Sequence, residues 1–175
     1  MREIIRLGLM LALICGVSAA GLTAVYSTTL PLIEEQRAAK LQESLELCVP
    51  GSEVCSEIEV DGRVHWVLRD DDSIVGASTL VEADGYGTRP MEIMLGVNTQ
   101  GEILNVIILS MSETVGIGTQ VKSDDFLGRF IGKSIEEDAL EVDAITGATI
   151  SSDAVNDGVR KAAEILRSDF LTRPD

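Results

Sequence analysis

Residues 91–110, MEIMLGVNTQGEILNVIILS, read as two apolar runs of strand length on either side of Asn98-Thr99-Gln100-Gly101. Val and Ile are concentrated in these runs, the residues that suit a half-buried pleated surface. A short polar junction ending in Gly predicts a hairpin, and a hairpin makes the sheet antiparallel there. Toward the N-terminus, RVHWVLRD (63–70) and SIVGASTLVE (73–82) have the same character and predict two further strands. Toward the C-terminus, SDDFLGRFIGKS (123–134) places Phe126, Leu127, Phe130 and Ile131 on one face behind a Ser or Asp cap, which predicts a short helix. The last helix is read from SSDAVNDGVRKAAEILRSDFL (151–171), where Val155, Val159, Ala162, Leu166 and Phe170 form an apolar stripe. Strands in the middle with helices at the ends predict an α+β domain, an antiparallel sheet flanked by helices.

The N-terminal segment has a different character. No charged residue stands between Arg6 and Glu34, and LGLMLALICGVSAAGLTAVY (7–26) is almost wholly apolar. About twenty helical residues span roughly 30 Å, the thickness of a bilayer core. Val17-Ser18-Ala19 resembles a signal cleavage site, but the apolar run continues past it to Tyr26, placed like an interfacial aromatic. Residues 7–26 are therefore expected to form a single transmembrane helix. Arg2 and Arg6 predict a cytoplasmic N-terminus at residues 1–6 by the positive-inside rule. Residues 27–50 then read as a juxtamembrane helix bent at Pro31, with Ile33, Ala38, Leu41, Leu45 and Cys48 recurring near helical spacing. Residues 51–175 become an extracytoplasmic domain on the periplasmic side of an inner membrane. That compartment would suit a disulfide between Cys48 and Cys55 across CVPGSEVC; two small apolar residues at a helix end is the alternative.

Composition excludes several functions. Fourteen basic residues against twenty-nine acidic ones give a formal charge of -15, which opposes the phosphate neutralisation of nucleic-acid binding. One His, His65, and no Cys-x-x-Cys pair exclude the usual zinc and iron–sulfur ligand sets. No metal site is expected.

Two stretches carry chemistry. DAITGATISSD (143–153) gathers four hydroxyls around Gly147-Ala148 just before the last helix. On one reading Ser151 or Ser152 caps that helix, Gly147 makes the turn and Asp153 favours the positive end of the dipole. On the other, the free amides of a helix start form a phosphate site beside a Thr hydroxyl. A core of Ser or Thr followed by Gly-Ala-Thr arises by chance in such a chain less than about one time in a hundred. Upstream, SETVGIGTQV (112–121) holds Gly116-x-Gly118 but lacks the third glycine of a dinucleotide fingerprint. Glycines there would let backbone amides approach a flat ring.

DAITGATIS resembles the flavinylation motif of the FMN-binding domain family, in which a flavin transferase esterifies the FMN phosphate to the final Thr. The resemblance implies covalent FMN on Thr149. SETVGIG is similar to the family's His-x-Glu-Thr-Pro-Gly-Leu-Gly loop: Glu113, Thr114, Gly116 and Gly118 match, while Met111, Val115 and Ile117 stand where His, Pro and Leu are usual. The implied cofactor-binding set is Glu113, Thr114, Gly116, Ile117, Gly118, Thr119, Thr146, Gly147 and Ala148. Met111, Ile117 and Tyr86 are the candidate neighbours of the ring.

The order of segments is similar to the electron-transport branch of the family, in Rnf-type complexes that move electrons between ferredoxin and NAD and translocate ions. The resemblance then implies an electron-transfer subunit of a translocase, not catalytic alone, with the other Rnf subunits and a flavin transferase as partners. The alternatives are the related C subunit of a sodium-translocating NADH:quinone reductase, and a non-redox, membrane-anchored binding domain.

Overall fold

The computed structural model describes residues 2–49, 53–60, 63–70, 73–136 and 140–171. The chain divides into two compact units, Met1–Lys40 and Leu41–Asp175. Helix α1, Arg2–Cys48, fills the first unit and ends in the second. It is long and apolar enough to cross a membrane.

The two helices expected at the N-terminus are one, with Pro31 inside it. A proline removes a single backbone hydrogen bond from a helix. Its neighbours Leu30, Leu32, Glu34 and Glu35 are good helix formers that carry the helix onward.

Five strands follow: β1 (Glu53–Val60), β2 (Arg63–Asp70), β3 (Ser73–Ala83), β4 (Met91–Asn98) and β5 (Ile103–Ser110). They form one antiparallel sheet in chain order, each paired with the next. β2 to β5 stand where the Val and Ile runs predict them. β1 was not among the expected strands: with three Glu it lacks the Val and Ile runs of the others, and its register shifts between Val54 and Ser56. After the sheet come a 3-10 turn (Gly118–Lys122), the short helix α2 (Asp124–Leu127), helix α3 (Thr149–Leu166) and a π-helical turn (Arg167–Leu171).

Both faces of the sheet are covered, which is why β4 is apolar at nearly every position. One face sends Ile93, Leu95 and Val97 into a core with Val155, Val159, Ala162 and Leu166 of α3 and with Phe126 and Phe130. The two Phe rings meet edge to face, their centroids 6.0 Å apart. Ile131, expected on that face, is half-exposed, because α2 lasts only one turn and the chain leaves the helix before reaching it.

The other face buries Trp66, Leu68, Met94 and Leu109 against Leu45, Cys48 and Val49 at the end of α1. Gly96 permits this: a Cβ there would lie 2.6 Å from the Cys48 carbonyl oxygen. Cys48 is a free thiol, and burial pushes its pKa up to about 12 although Ser78 hydrogen-bonds to it. Such a thiol stays protonated and unreactive. The side chain of Cys55 lies outside the described residues. At the far end of α3, Asp169 Oδ2 stands 3.2 Å from His65 Nε2, which docks the π-helical turn on β2.

Candidate functional site

The site is built where β5 ends and α3 begins. The loop after β5 carries Glu113, Thr114, Ile117 and Gly118; the turn before α3 carries Gly147, Ala148 and Thr149. These segments, with Tyr86, Ile150 and Ser151, enclose a cleft of about 440 Å³. That volume falls within the range of roughly 300–1,000 Å³ common for small-molecule sites. The two motifs singled out in the sequence are therefore walls of one cavity.

The start of α3 is open. Helix geometry leaves the amides of Thr149, Ile150 and Ser151 without intrahelical acceptors. The N-cap residue is Ala148, and no side chain caps the helix. Gly147 holds φ +87°, and a Cβ there would meet nothing within 4 Å. Thr149 is the first helical residue, is exposed, and its hydroxyl has no hydrogen-bond partner among the described residues.

The serines do other work than the capping expected of them. Ser152 is fully buried; its hydroxyl accepts from the Ile145 amide at 3.0 Å and donates to the Ala148 carbonyl at 2.9 Å. Ser151 is buried too and donates to Glu113 Oε2 at 2.6 Å. Since the helix begins at Thr149, both serines already lie inside its first turn. Asp153 falls beyond that turn, where it gains little from the dipole.

Glu113 is the other centre of the site. It is buried, and its second oxygen, Oε1, accepts from the Gly87 amide at 3.0 Å. Next to it, the Ser112 hydroxyl accepts from the Arg89 amide and donates to the Arg89 carbonyl, at 3.0 and 3.1 Å. The segment 85–89 is thus fastened to the end of β5. Sequence reasoning named Tyr86 in this segment but missed its fastening to β5 and the part played by Ser151, whose partners are remote in the chain.

Of the expected cofactor-binding residues, Glu113, Thr114, Ile117, Gly118, Gly147 and Ala148 line the cleft, as does Thr149. Gly116, Thr119 and Thr146 do not. Thr119 shapes the loop instead, its hydroxyl accepting from the Gly116 amide at 2.9 Å. Tyr86 and Ile117 border the cavity, whereas Met111 packs against the core under α3. Among the described residues no cluster of His, Cys, Asp and Glu could hold a metal ion.

The residues present fit FMN. Uncapped helical amides suit a phosphate, an unbonded hydroxyl stands beside them, and exposed apolar groups of Tyr86, Ile117 and Ile150 suit a flat ring.

Comparison with known proteins agrees with this geometry. Residues 85–164, which contain every wall of the cleft, match the family model of the FMN-binding domain. Residues 1–46 match that of the RnfG N-terminal region. Over the segment that builds the cleft, the chain is similar to the FMN-binding domain family.

Its relatives over nearly their whole length belong to one kind of complex. It is 28% identical to the G subunit of the proton-translocating ferredoxin:NAD(+) oxidoreductase complex of Clostridium ljungdahlii, over 88% of this chain and 86% of that one. It is 27% identical to the G subunit of the ion-translocating oxidoreductase complex of Methanosarcina acetivorans, over 94% and 95%. The crystal structure of Shewanella oneidensis NqrC shares the fold, with a TM-score of 0.51 over 61% of this chain and 62% of that one at 18% identity.

Proposed function

We propose that this chain is a membrane-anchored flavoprotein subunit that carries FMN through a phosphoester to Thr149. It relays electrons within an Rnf-type ferredoxin:NAD oxidoreductase coupled to ion translocation. The observation that carries the reading is the meeting of two sequence motifs in one cleft, with a single unbonded Thr hydroxyl at an uncapped helix start. The other hydroxyls at this turn are poorer candidates: Ser151 and Ser152 are buried and hydrogen-bonded, and Thr146 does not line the cleft. Relatives that are G subunits of such complexes support the Rnf assignment over the C subunit of the NADH:quinone reductase, whose likeness is one of fold.

FMN supplies the redox chemistry when bound, accepting and releasing electrons singly, and the protein positions it. Thr149 provides the oxygen of the ester. The amides that open α3 face the phosphate with the positive end of the helix dipole. Tyr86, Ile117 and Ile150, which border the cleft, would offer the ring apolar surface.

α1 anchors the subunit, and Arg2 and Arg6 hold its N-terminus in the cytoplasm, which puts the flavin domain on the periplasmic side of the inner membrane. A phosphoester prevents loss of a cofactor that an exported domain could not readily replace. A flavin transferase completes the subunit, and the other Rnf subunits are its electron partners.

The test is a denaturing gel of the full-length protein, made in membranes together with a matching flavin transferase and viewed under ultraviolet light. A fluorescent band is expected, and Thr149→Ala abolishes it. A band of undiminished intensity in that variant would refute attachment at Thr149. No band in the unaltered protein with transferase present would favour a non-redox binding domain.

A further inference from the structure

We infer that Glu113 is a positioning residue: through Ser151 and Gly87 it clasps the start of α3 to the two loops that face it, and so holds the attachment threonine in place. The inference rests on the flavin reading above.

Glu113 is 7% exposed, and a buried charge must be matched by hydrogen bonds. Each of its oxygens has a protein donor: the Ser151 hydroxyl, at 2.6 Å, on Oε2, and the Gly87 amide, at 3.0 Å, on Oε1. Bonds to an ionised acceptor are short and strong. The carboxylate thereby joins three segments remote in sequence: the 85–89 loop, its own loop, and α3 two residues after Thr149.

The surroundings are shaped to this carboxylate. A Cβ on Gly118 would lie 2.8 Å from both Glu113 Oε2 and the Ser151 hydroxyl, and one on Gly85 would overlap Glu113 Oε1. Gly118 thus serves the clasp as well as the cleft. α3 also lacks a local side-chain cap. Glu113 brings negative charge to the positive end of that helix from 38 residues away in the chain. A loop that moved freely against α3 would leave the Thr149 hydroxyl without a fixed place in the cleft.

The experiment follows the rate of flavin loading of the full-length protein by its transferase, read as in-gel fluorescence per unit of protein. Ser151→Ala is expected to slow loading about tenfold, the size set by losing one hydrogen bond to a charged group, and Glu113→Ala, which also leaves the Gly87 amide without its acceptor, at least as much. The double variant should be no slower than the slower single one, because both substitutions break the same contact. Glu113→Gln, which keeps the shape and one acceptor, should fall between Glu113→Ala and the unaltered protein.

A control separates positioning from loss of stability. Asn98→Ala, at the β4–β5 hairpin and outside the cleft, should load at the unaltered rate even at a temperature chosen so that its folded fraction equals that of Ser151→Ala. If Glu113→Ala does not fold, Ser151→Ala, which removes a single hydroxyl, carries the comparison against that control. Unchanged loading in Ser151→Ala, or fully additive slowing in the double variant, overturns the clasp while loss of the band in Thr149→Ala still stands. A band surviving Thr149→Ala overturns the attachment reading instead.

Discussion

Two turns in this molecule are made from the same materials and end in opposite states. The β4–β5 hairpin and the start of α3 each place a glycine at positive φ, Gly101 at +78° and Gly147 at +87°, among small polar residues. In the hairpin the Asn98 side chain is occupied at both of its polar atoms. Asn98 Oδ1 accepts from the amides of Gln100 and Glu102, both at 2.9 Å, and Asn98 Nδ2 donates to Glu102 Oε2 at 3.2 Å. A Cβ on Gly101 would press on Leu171 and Ile135 at 2.9 and 3.2 Å. At the start of α3 the turn is empty around Gly147, the cap is an alanine, and the Thr146 and Thr149 hydroxyls have no hydrogen-bond partners among the described residues. Composition does not separate a turn that only reverses the chain from one that binds. Unfilled hydrogen-bonding capacity and free space do.

The largest effect expected from breaking this contrast comes from the glycines. Gly101→Ala adds a left-handed strain of roughly 1–2 kcal/mol to an overlap with Ile135 and Leu171. We expect it to lower stability by about 2–4 kcal/mol. Gly147→Ala carries the strain alone and should cost about 1–2 kcal/mol. Denaturant unfolding of the flavin-free, full-length protein in detergent measures both. Equal losses would show that the start of α3 is as tightly filled as the hairpin.

A smaller effect separates the polar groups. Ser152→Ala leaves the Ile145 amide without its acceptor in a fully buried place, a loss of about 1–3 kcal/mol. Asn98→Ala removes the one oxygen that accepts from two amides at an exposed turn where water can replace it, and should cost about 1 kcal/mol or less. The same unfolding experiment ranks them. A larger loss for Asn98→Ala would mean that the exposed hairpin contributes more to stability than the buried packing beneath Ala148.

The sheet was legible because β2 to β5 are runs of Val and Ile whose composition is local information. β1 was not: EVCSEIEV mixes three glutamates with isolated apolar residues, so its composition carries no local strand signal. Thr149, the proposed attachment site, stood out in the sequence through a short, rare core. The serines beside it were misassigned because capping preferences are local, whereas Ser151 is bonded to a carboxylate 38 residues away and Ser152 is held beneath the turn. Glu113 itself was found as part of a motif, but its partners Gly87 and Ser151 become neighbours only when the sheet folds. Pairwise geometry of that kind has no signature in a single chain.

The smallest expected effect tests the open turn most closely. Thr146 is exposed, forms no hydrogen bond among the described residues, and stands outside the cleft, although it lies in the same core as Thr149. Thr146→Ala should change stability by no more than about 0.5 kcal/mol, as for other surface substitutions without a special contact. Its fluorescent band should match that of the unaltered protein at saturating transferase. A slower approach to the same final band would make Thr146 a recognition contact for the transferase, acting before the bond forms and not after. Loss of the final band would mean that both hydroxyls of the turn are needed to hold the phosphate, and the contrast with the hairpin would then rest on a pair of threonines instead of Thr149 alone.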